Sequence, residues 1–355
     1  MPTRHSPDAV IEMNGRAFRL LNSIGRLLRG FALGGLSSFA LGASVEHGNV
    51  AFDISPDGEQ VVFAAADGDL YLLQLKSLSV SQLTKTPGAD YSPSFSPDGS
   101  EIVYAADIGG RNGSCLFVFS LTSKQSRQVT DDPMAKDLMP SYSRDGSQIV
   151  FARAQQHRRY SLGGWTWDNW DVFLMKSDGS ELKGITQKKY YGLRSPKFLP
   201  NGSDIVYSAD SDRAKSELMA TLFVVDASGK QPPRLAVNAH PSRAKGGAWA
   251  SEPDVFTDGS IAFVSDRLKS FHYYVFIMWS DGVPKSLGAT AISRYNQYPT
   301  FLPGGRGVLF LAGQEWNEGS RPIFSLWMIN TDGSNPHRIA ESTLFTDPLR
   351  WKPNR

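Results

Sequence analysis

Three histidines have the chemistry to bind a transition metal. His157, His240 and His272 are far apart in the sequence, and neutral imidazole nitrogens are good ligands for such metals. Three of them would leave coordination positions open for a substrate. Their spacing matches no known metal-binding motif, so we predict a protein without a metal or other cofactor. A metal site at these three histidines is the alternative.

Aromatic and basic side chains are concentrated in the middle of the chain and occur again near its end. Trp, Tyr and Arg dominate many binding interfaces, because they bury a large area and keep a polar group. Packing of the same aromatic rings onto the fold is the competing interpretation. We predict that eight of these residues contact a protein partner: Arg158, Arg159, Trp165, Trp167, Lys189, Tyr190, Tyr191 and Trp316.

Motifs for common enzyme chemistry are absent from the sequence. There is no G-x-S-x-G, no G-x-x-x-x-G-K-[ST], no H-E-x-x-H, and no G-x-G-x-x-G after a strand. The single cysteine, Cys115, excludes a disulfide framework, a CxxC redox pair and a thiolate zinc site. We therefore predict a protein without enzymatic activity.

The charge distribution argues against a nucleic-acid partner. The 355 residues contain 37 Lys and Arg and 35 Asp and Glu. Five of the cations and two of the acids fall in residues 1–43, which leaves 32 cations and 33 acids in the remainder. An extended nucleic-acid surface needs clustered cations to displace phosphate counterions. We predict that the protein does not bind nucleic acid.

Residues 1–43 have the composition of a secretory leader. The segment is basic from Arg16 to Arg29, and FALGGLSSFALGA is uncharged from Phe31 to Ala43. A basic region, a short apolar region and small residues occur in this order in signal peptides. The apolar run is shorter than the roughly 20 residues that span a bilayer, so we predict no integral membrane span. We expect a periplasmic or secreted protein, or a cytoplasmic one if this segment is not a signal peptide.

One motif occurs six times in the rest of the chain. Its turn positions are 41 to 57 residues apart. The six copies are ISPDGEQVVFAAAD from Ile54, FSPDGSEIVYAAD from Phe95, YSRDGSQIVFARA from Tyr142, FLPNGSDIVYSAD from Phe198, VFTDGSIAFVSD from Val255 and FLPGGRGVLFLA from Phe301.

Each copy predicts four short antiparallel strands, which we name A to D. Asp-Gly and Asn-Gly supply the positive φ angles of tight hairpins, and a β-branched run such as Ile102–Tyr104 follows the turn. Two further strands follow, as at Leu116–Leu121 and Gln128–Thr130. This pattern is typical of a β-propeller. We predict an all-β fold: an N-terminal leader (1–43), then a six-bladed β-propeller of four-stranded antiparallel blades (44–355).

The repeats resemble those of a known family. FSPDGSEIVYAAD and VFTDGSIAFVSDR, with Ser-Asp-Gly after the third strand at Ser177–Gly179 and Ser280–Gly282, are similar to the WD40-like repeats of the TolB family. The resemblance covers about residues 50–355 and implies a periplasmic propeller that binds other proteins. Some propellers with similar repeats are oligogalacturonate lyases, in which histidines hold a divalent metal and the substrate is an anionic sugar.

The connections between strands predict which side of the propeller is functional. Because the strands alternate in direction, A–B and C–D connections share one face, and B–C and D–A connections share the other. The second set is longer and more variable, as in the B–C connection predicted at 154–169, and function usually lies on such loops. We call the two sides the short-loop face and the long-loop face.

We therefore predict an exported scaffold that binds a protein partner of the cell envelope through its long-loop face. Two alternatives involve glycans: a metal-dependent, polysaccharide-active propeller similar to oligogalacturonate lyase, and a carbohydrate-binding module.

Overall fold

The chain folds into six separate four-stranded antiparallel sheets. The computed structural model describes residues 51–109, 112–159, 165–210, 220–236, 248–269, 272–288, 292–293, 295–313 and 324–353. Within these ranges the structure is nearly all β, with one short helix, α1 (Thr343–Thr346). The leader predicted at residues 1–43 lies outside the described residues, as do Trp316 and His240.

Each sheet is one blade and consists of four consecutive strands. Blade 1 contains β1 (Phe52–Ile54), β2 (Gln60–Ala64), β3 (Leu70–Gln74) and β4 (Val80–Gln82); blade 2 contains β5 (Asp90–Phe95), β6 (Glu101–Asp107), β7 (Ser114–Ser120) and β8 (Ser126–Gln128); blade 3 contains β9 (Lys136–Tyr142), β10 (Gln148–Arg159), β11 (Trp165–Lys176) and β12 (Lys183–Gly184). Blade 4 contains β13 (Gly192–Phe198), β14 (Asp204–Asp210), β15 (Ala220–Asp226) and β16 (Arg234–Leu235); blade 5 contains β17 (Ala250–Val255), β18 (Ile261–Ser265), β19 (Tyr274–Met278) and β20 (Pro284–Ser286); blade 6 contains β21 (Tyr295–Phe301), β22 (Gly307–Gly313), β23 (Phe324–Asn330) and β24 (His337–Ala340).

The six blades form a closed ring. In every sheet the strands pair with their neighbours in chain order. The A strands β1, β5, β9, β13, β17 and β21 are innermost, and each contacts the next around the ring, including β21 with β1. The predicted six-bladed propeller is therefore confirmed. A closed ring exposes only short strand edges, so the fold is a rigid support for the connections at its faces.

The hydrophobic core lies between the blades. Apolar side chains of the B and C strands point from both faces of each sheet and pack against those of the next blade. One such layer joins blade 6 to blade 1 and contains Phe63, Leu309 and Phe345. Full burial of an aliphatic or phenylalanine side chain stabilises a fold by roughly 1.5–3 kcal/mol. Burial on both faces explains why the B strands are continuous apolar runs.

The A–B turns use Asp and Gly for different purposes. In blade 3, Gly146 has a φ of +74°, a conformation that suits glycine because it has no β-carbon. Asp145 accepts hydrogen bonds from the hydroxyl of Ser143 (2.6 Å) and from the backbone and hydroxyl groups of Ser147 (3.0 and 2.8 Å). These bonds lower the pKa of Asp145 to about 2. The Asp carboxylate therefore serves the turn as a hydrogen-bond acceptor. The Gly serves it by adopting the positive φ.

The D strands begin and end earlier than the sequence predicts. The expected strand Gln128–Thr130 is β8 (Ser126–Gln128) in the structure. The hydroxyl of Thr130 accepts the backbone N–H of Leu116 at 2.8 Å, where a ladder bond would otherwise form. Thr84 and Thr186 do the same in blades 1 and 3. A side-chain oxygen thus ends the pairing of the outer strand at the same place in three blades.

The ring closes by packing and not by an added strand. The C-terminal tail contains no strand over its described residues, 348–353. Instead, α1 places the ring of Phe345 edge-on against Phe63, with centroids 5.4 Å apart. The carbonyl oxygen of Phe345 accepts the N–H of Ala66 at 2.8 Å. Because β1 already holds the innermost position of blade 1, the tail covers the junction between the first and last blades.

Candidate functional site

The B and C strands of blade 3 extend beyond their sheet as a two-stranded ribbon. The strand β9 pairs with β10 only as far as Ala154, whereas β10 and β11 pair with each other out to Arg159 and Trp165. The segment predicted as a loop at 154–169 is thus mostly strand, and that prediction is wrong. Cross-strand pairs such as His157 with Trp167 explain the difference, because aromatic pairs on one face stabilise a ribbon. We call residues 155–159 and 165–169 the blade-3 ribbon.

An aromatic stack covers one face of the blade-3 ribbon. The ring of His157 is stacked with Trp165 at 4.9 Å and with Trp167 at 4.8 Å, with interplanar angles of 25° and 24°. Burial and the positive charge of Lys136 lower the pKa of His157. Its imidazole is therefore neutral near pH 7. Three flat rings in contact fix the positions of two strands that have no other strand neighbours among the described residues.

The tryptophans of the blade-3 ribbon differ in exposure. Trp167 is buried, and its indole nitrogen donates to the carbonyl oxygen of Asn112 in blade 2 at 3.0 Å. Trp170, at the base of the ribbon, is also buried and donates to the carbonyl oxygen of Trp167 at 3.3 Å. Trp165, by contrast, is 64% exposed. The inner indoles attach the ribbon to the propeller, and the outer indole faces solvent.

The close approach of blade 2 to the blade-3 ribbon requires a glycine. A β-carbon at Gly113 would lie 2.0 Å from the carbonyl oxygen of Ala135 and 3.4 Å from Cζ2 of Trp167. The first distance is shorter than any allowed contact, so no other residue fits there without movement of the chain. The B–C connection of blade 2 and the D–A connection that follows it therefore form the surface on which Trp167 rests.

Charged side chains on the blade-3 ribbon and at its base are arranged in two layers. Arg158 Nε donates to Oδ2 of Asp168 at 2.5 Å, and Asp168 is completely buried. Below it, Arg153 forms a bidentate pair with the buried Asp137, with Nε–Oδ1 and NH2–Oδ2 distances of 2.6 and 2.8 Å. Bidentate pairs hold geometry as well as charge. Arg159 is exposed near the end of the ribbon.

The D–A connection of blade 3 is attached to the base of the blade-3 ribbon. Tyr190 and Trp170 exchange two backbone hydrogen bonds of 2.9 and 3.0 Å. The buried carboxylate of Asp171 accepts the backbone N–H groups of Lys188 (2.7 Å) and Lys189 (3.2 Å). Both lysine side chains are therefore exposed from a connection whose backbone is held in place.

The two tyrosines of this connection differ in burial. The ring of Tyr190 is buried, and its hydroxyl lies 2.8 Å from the hydroxyl of Tyr207 in blade 4. Tyr191 is half-buried. The structure thus brings seven of the eight sequence-predicted partner-binding residues to one end of blade 3, and only some of their side chains face solvent. The eighth, Trp316, lies outside the described residues.

The histidines do not form a described metal site. His157 is stacked with two indoles, and His272 lies on blade 5 near the ring of Tyr274, at 6.1 Å. His240 lies outside the described residues. Where the structure describes the chain, no three His, Cys, Asp or Glu side chains are arranged to hold a metal ion. Within the same residues, no helix has the length and apolar character needed to cross a membrane.

The central channel contains residues that the sequence reasoning missed. Five A strands have a bulge in which a residue at positive φ, between +47° and +56°, precedes a proline. Such a φ is uncommon for residues other than glycine. The repeated X-Pro-x-aromatic/aliphatic pattern, as in SPSF, MPSY, SPKF, EPDV and YPTF, would have revealed these bulges. The five bulged residues are Ser92, Met139, Ser195, Glu252 and Tyr298.

In four of these strands the residue after the proline lines one common space: Ser94, Ser141, Lys197 and Asp254. Two of them are charged, and Nζ of Lys197 lies 3.6 Å from Oδ1 of Asp254. Asp53, which does not follow a proline, occupies the corresponding position in blade 1. The space is about 770 Å³ and is open to solvent. Asp53 and Asp254 accept the backbone N–H of Phe95 and Phe301 in the next blade, at 2.9 and 2.8 Å. The acids therefore join neighbouring A strands.

A buried glutamate, Glu252, lines a second space that adjoins the first. Oε2 of Glu252 accepts the backbone N–H of Tyr298 at 2.8 Å, which links blade 5 to blade 6. Burial raises the pKa of Glu252 to about 7, against the opposing effects of this hydrogen bond and of Arg194. Its charge therefore changes in the neutral pH range.

Comparison with known proteins agrees with this architecture. Residues 38–160 match the TolB beta propeller domain family. The Tol-Pal system protein TolB of Francisella tularensis subsp. holarctica (strain OSU18) is 27% identical over 177 residues, which is 49% of this chain and 38% of that protein. The chain thus spans well under half the length of the curated relative.

Two solved structures share the fold. TolB from Acinetobacter baumannii superimposes with a TM-score of 0.56 and 18% identity, over 80% of this chain and 61% of that one. Oligogalacturonate lyase from Vibrio parahaemolyticus gives a TM-score of 0.56 and 16% identity, over 82% and 77%. At these identities the similarity concerns the fold. With the family match, the relative and the six blades taken together, the chain is a six-bladed β-propeller that is similar to the propellers of the TolB family.

Proposed function

We propose that this protein is an exported, non-enzymatic scaffold that binds a protein partner of the cell envelope through its long-loop face. The blade-3 ribbon carries this proposal, because it presents the exposed Trp165 on a support of stacked and buried rings. Tryptophan and arginine are the residues most enriched among interface hot spots. Arg159, the cross-strand partner of Trp165, adds a cation beside the indole.

The rigidity of the ribbon favours binding. A preformed surface loses less conformational entropy on association than a mobile loop does. The ribbon is held by the bond between Trp167 and Asn112, by the pair of Arg158 with Asp168, and by the stack at His157. Each of these contacts is made in the free protein. The ribbon is therefore already ordered, and little conformational entropy is lost when the partner binds.

The cellular place of the protein is part of the proposal. The relatives are Tol-Pal system proteins by name, and residues 1–43 have the composition of a signal peptide. We therefore propose a leader at 1–43, a propeller at 44–355 and a periplasmic location. No nucleic-acid partner is proposed.

The test is capture of envelope proteins on the immobilised chain, with the wild type and two variants compared at equal loading. Trp165→Ala should reduce capture by about tenfold, the typical loss for a hot-spot residue. Leu182→Ala is the matched control, because this exposed residue lies in the C–D connection of the same blade, on the short-loop face. Equal capture by the wild type and Trp165→Ala would contradict the proposal.

Metal analysis of the same preparation separates the scaffold from the polysaccharide-active alternative. The scaffold should contain no stoichiometric transition metal. One equivalent of bound metal, lost together with activity on oligogalacturonate in His157→Ala, would instead support the enzyme.

A further inference from the structure

The charges at the long-loop end of blade 3 are segregated by depth. Its three acidic side chains, Asp137, Asp168 and Asp171, are each at most 2% exposed. Asp137 and Asp168 are paired with Arg153 and Arg158. Every acid of this end is therefore below the surface.

The exposed charges of the same region are cations. Arg159, Lys188 and Lys189 are exposed, and none has an ion-pair partner within 4.0 Å among the described residues. On the adjacent D–A connection of blade 2, Asp131 is exposed, and the partly exposed Asp132 lies 3.7 Å from Arg153 of blade 3. The exposed surface of blade 3 at this end thus combines an indole, with Arg159 beside it, and two lysines farther along the blade. Such a surface attracts and orients an anionic partner.

The distance between the two lysines and the indole of Trp165 sets the minimum length of a ligand that contacts both. The backbone N–H of Lys189 is bound to Asp171, and Trp165 lies six residues farther along β11. At about 3.3 Å per residue, the separation is roughly 20 Å. An extended peptide covers this length with about six residues. A ligand that contacts both ends must therefore be extended.

We propose that this end of blade 3 recognises an acidic, extended segment of a protein. An apolar side chain of the segment lies on Trp165, and carboxylates about six residues away lie beside Lys188 and Lys189, with Arg159 as a third contact. The proposal rests on the proposed function and names the chemistry of its partner. Recognition of acidic motifs by clustered cations is a recurring mode of peptide binding. Trp165 stands on a projecting ribbon, whereas sites for small molecules are usually concave, so a protein segment fits better than a sugar.

A random dodecapeptide library displayed on phage and selected on the full chain tests this directly. The selected peptides should be acidic, with one aromatic, aliphatic or proline residue about six positions from the acidic cluster. A fluorescein-labelled selected peptide then gives affinities by fluorescence anisotropy. A library that yields no binder, or only binders without acidic enrichment, overturns the proposal.

Variants locate the binding site on the surface. The triple variant Arg159→Ala, Lys188→Ala, Lys189→Ala should bind the selected peptide with an affinity about tenfold lower or more. The salt dependence of this binding should also decrease. The triple variant Lys76→Ala, Lys230→Ala, Arg306→Ala is the matched control. It removes two lysines and one arginine that are exposed on the short-loop face, and it should bind as the wild type does. An equal loss of peptide affinity in both triple variants would contradict a binding site at this end of blade 3.

Two further outcomes distinguish this inference from the proposed function. If capture of envelope proteins depends on Trp165 but not on the three cations, the scaffold function stands and recognition of an acidic segment fails. If labelled oligogalacturonate binds more tightly than every selected peptide, and the triple variant without Arg159, Lys188 and Lys189 no longer binds it, the ligand is an anionic sugar and the proposal is wrong.

Discussion

The indole nitrogen of Trp167 donates a hydrogen bond to the carbonyl oxygen of Asn112, 3.0 Å away. These residues are 55 positions apart in the sequence and belong to different blades. The bond attaches the blade-3 ribbon to blade 2. It therefore sets the direction in which the ribbon presents Trp165.

Trp165 and Trp167 should respond differently to substitution. Trp167→Ala removes a buried side chain and its hydrogen bond, so we expect the free energy of unfolding to fall by about 3–5 kcal/mol. Trp165→Ala removes an exposed ring and one stacking contact, so the loss should be about 1 kcal/mol or less. Urea denaturation of both variants measures the difference. Equal losses would show that Trp165 is part of the core.

Asp137 should be far more important for stability than its neighbour Asp132. Asp137→Asn leaves the buried Arg153 without its main charge partner, at a cost of about 3–5 kcal/mol. Asp132→Asn removes a contact of 3.7 Å from a side chain that is 46% exposed, and exposed pairs contribute about 0–1 kcal/mol. Thermal unfolding of the two variants checks this, and similar melting temperatures would refute a dominant role for the buried pair.

Glu252 should make the stability of the propeller depend on pH in the neutral range. Its pKa in the folded protein is about 7, above the ordinary value of 4.5, so the folded state binds more protons between these values. Stability should therefore fall as pH rises from about 4.5 through 7, by at most about 3 kcal/mol. Glu252→Gln keeps an acceptor for Tyr298 and should remove this dependence.

The measurement for Glu252 is the denaturation midpoint at pH 4.5, 6 and 8. The variant should gain stability over the wild type at pH 8 and lose that advantage at pH 4.5. Glu59→Gln, at an exposed turn position, is the control and should leave the pH profile unchanged. A wild-type profile that is flat from pH 4.5 to 8 would contradict the prediction.

Asp145 should contribute stability that disappears in acid. The hydrogen bonds from Ser143 and Ser147 lower its pKa to about 2, below the ordinary value of 3.8. Its contribution is therefore complete above about pH 4 and is lost as pH falls toward 2. Asp145→Asn retains an oxygen acceptor but cannot titrate, so acid should destabilise this variant less than the wild type. Parallel acid-unfolding curves for the two proteins would count against this role.

The sequence by itself determined the architecture of the protein. An Asp-Gly or Asn-Gly turn precedes an apolar, β-branched run in five blades, and Gly304-Gly305 takes its place in blade 6, so local backbone preferences specify the A–B hairpins. Their repetition then predicts blades, and the alternation of strand direction predicts the long-loop face. The prediction succeeds because these signals lie within a few residues of each other. The strand predicted at Leu116–Leu121, for example, is β7 (Ser114–Ser120) in the structure.

Only the tertiary structure decided which side chains of the long-loop face are available. Tyr190 is buried against Tyr207 of the next blade, and Trp167 against blade 2, whereas Trp165 remains exposed. The sequence places all of them in similar aromatic and basic segments. Burial depends on which distant backbone comes close, as Gly113 does to Ala135. Contacts between blades arise only when the ring closes, and for that reason no local pattern predicts them.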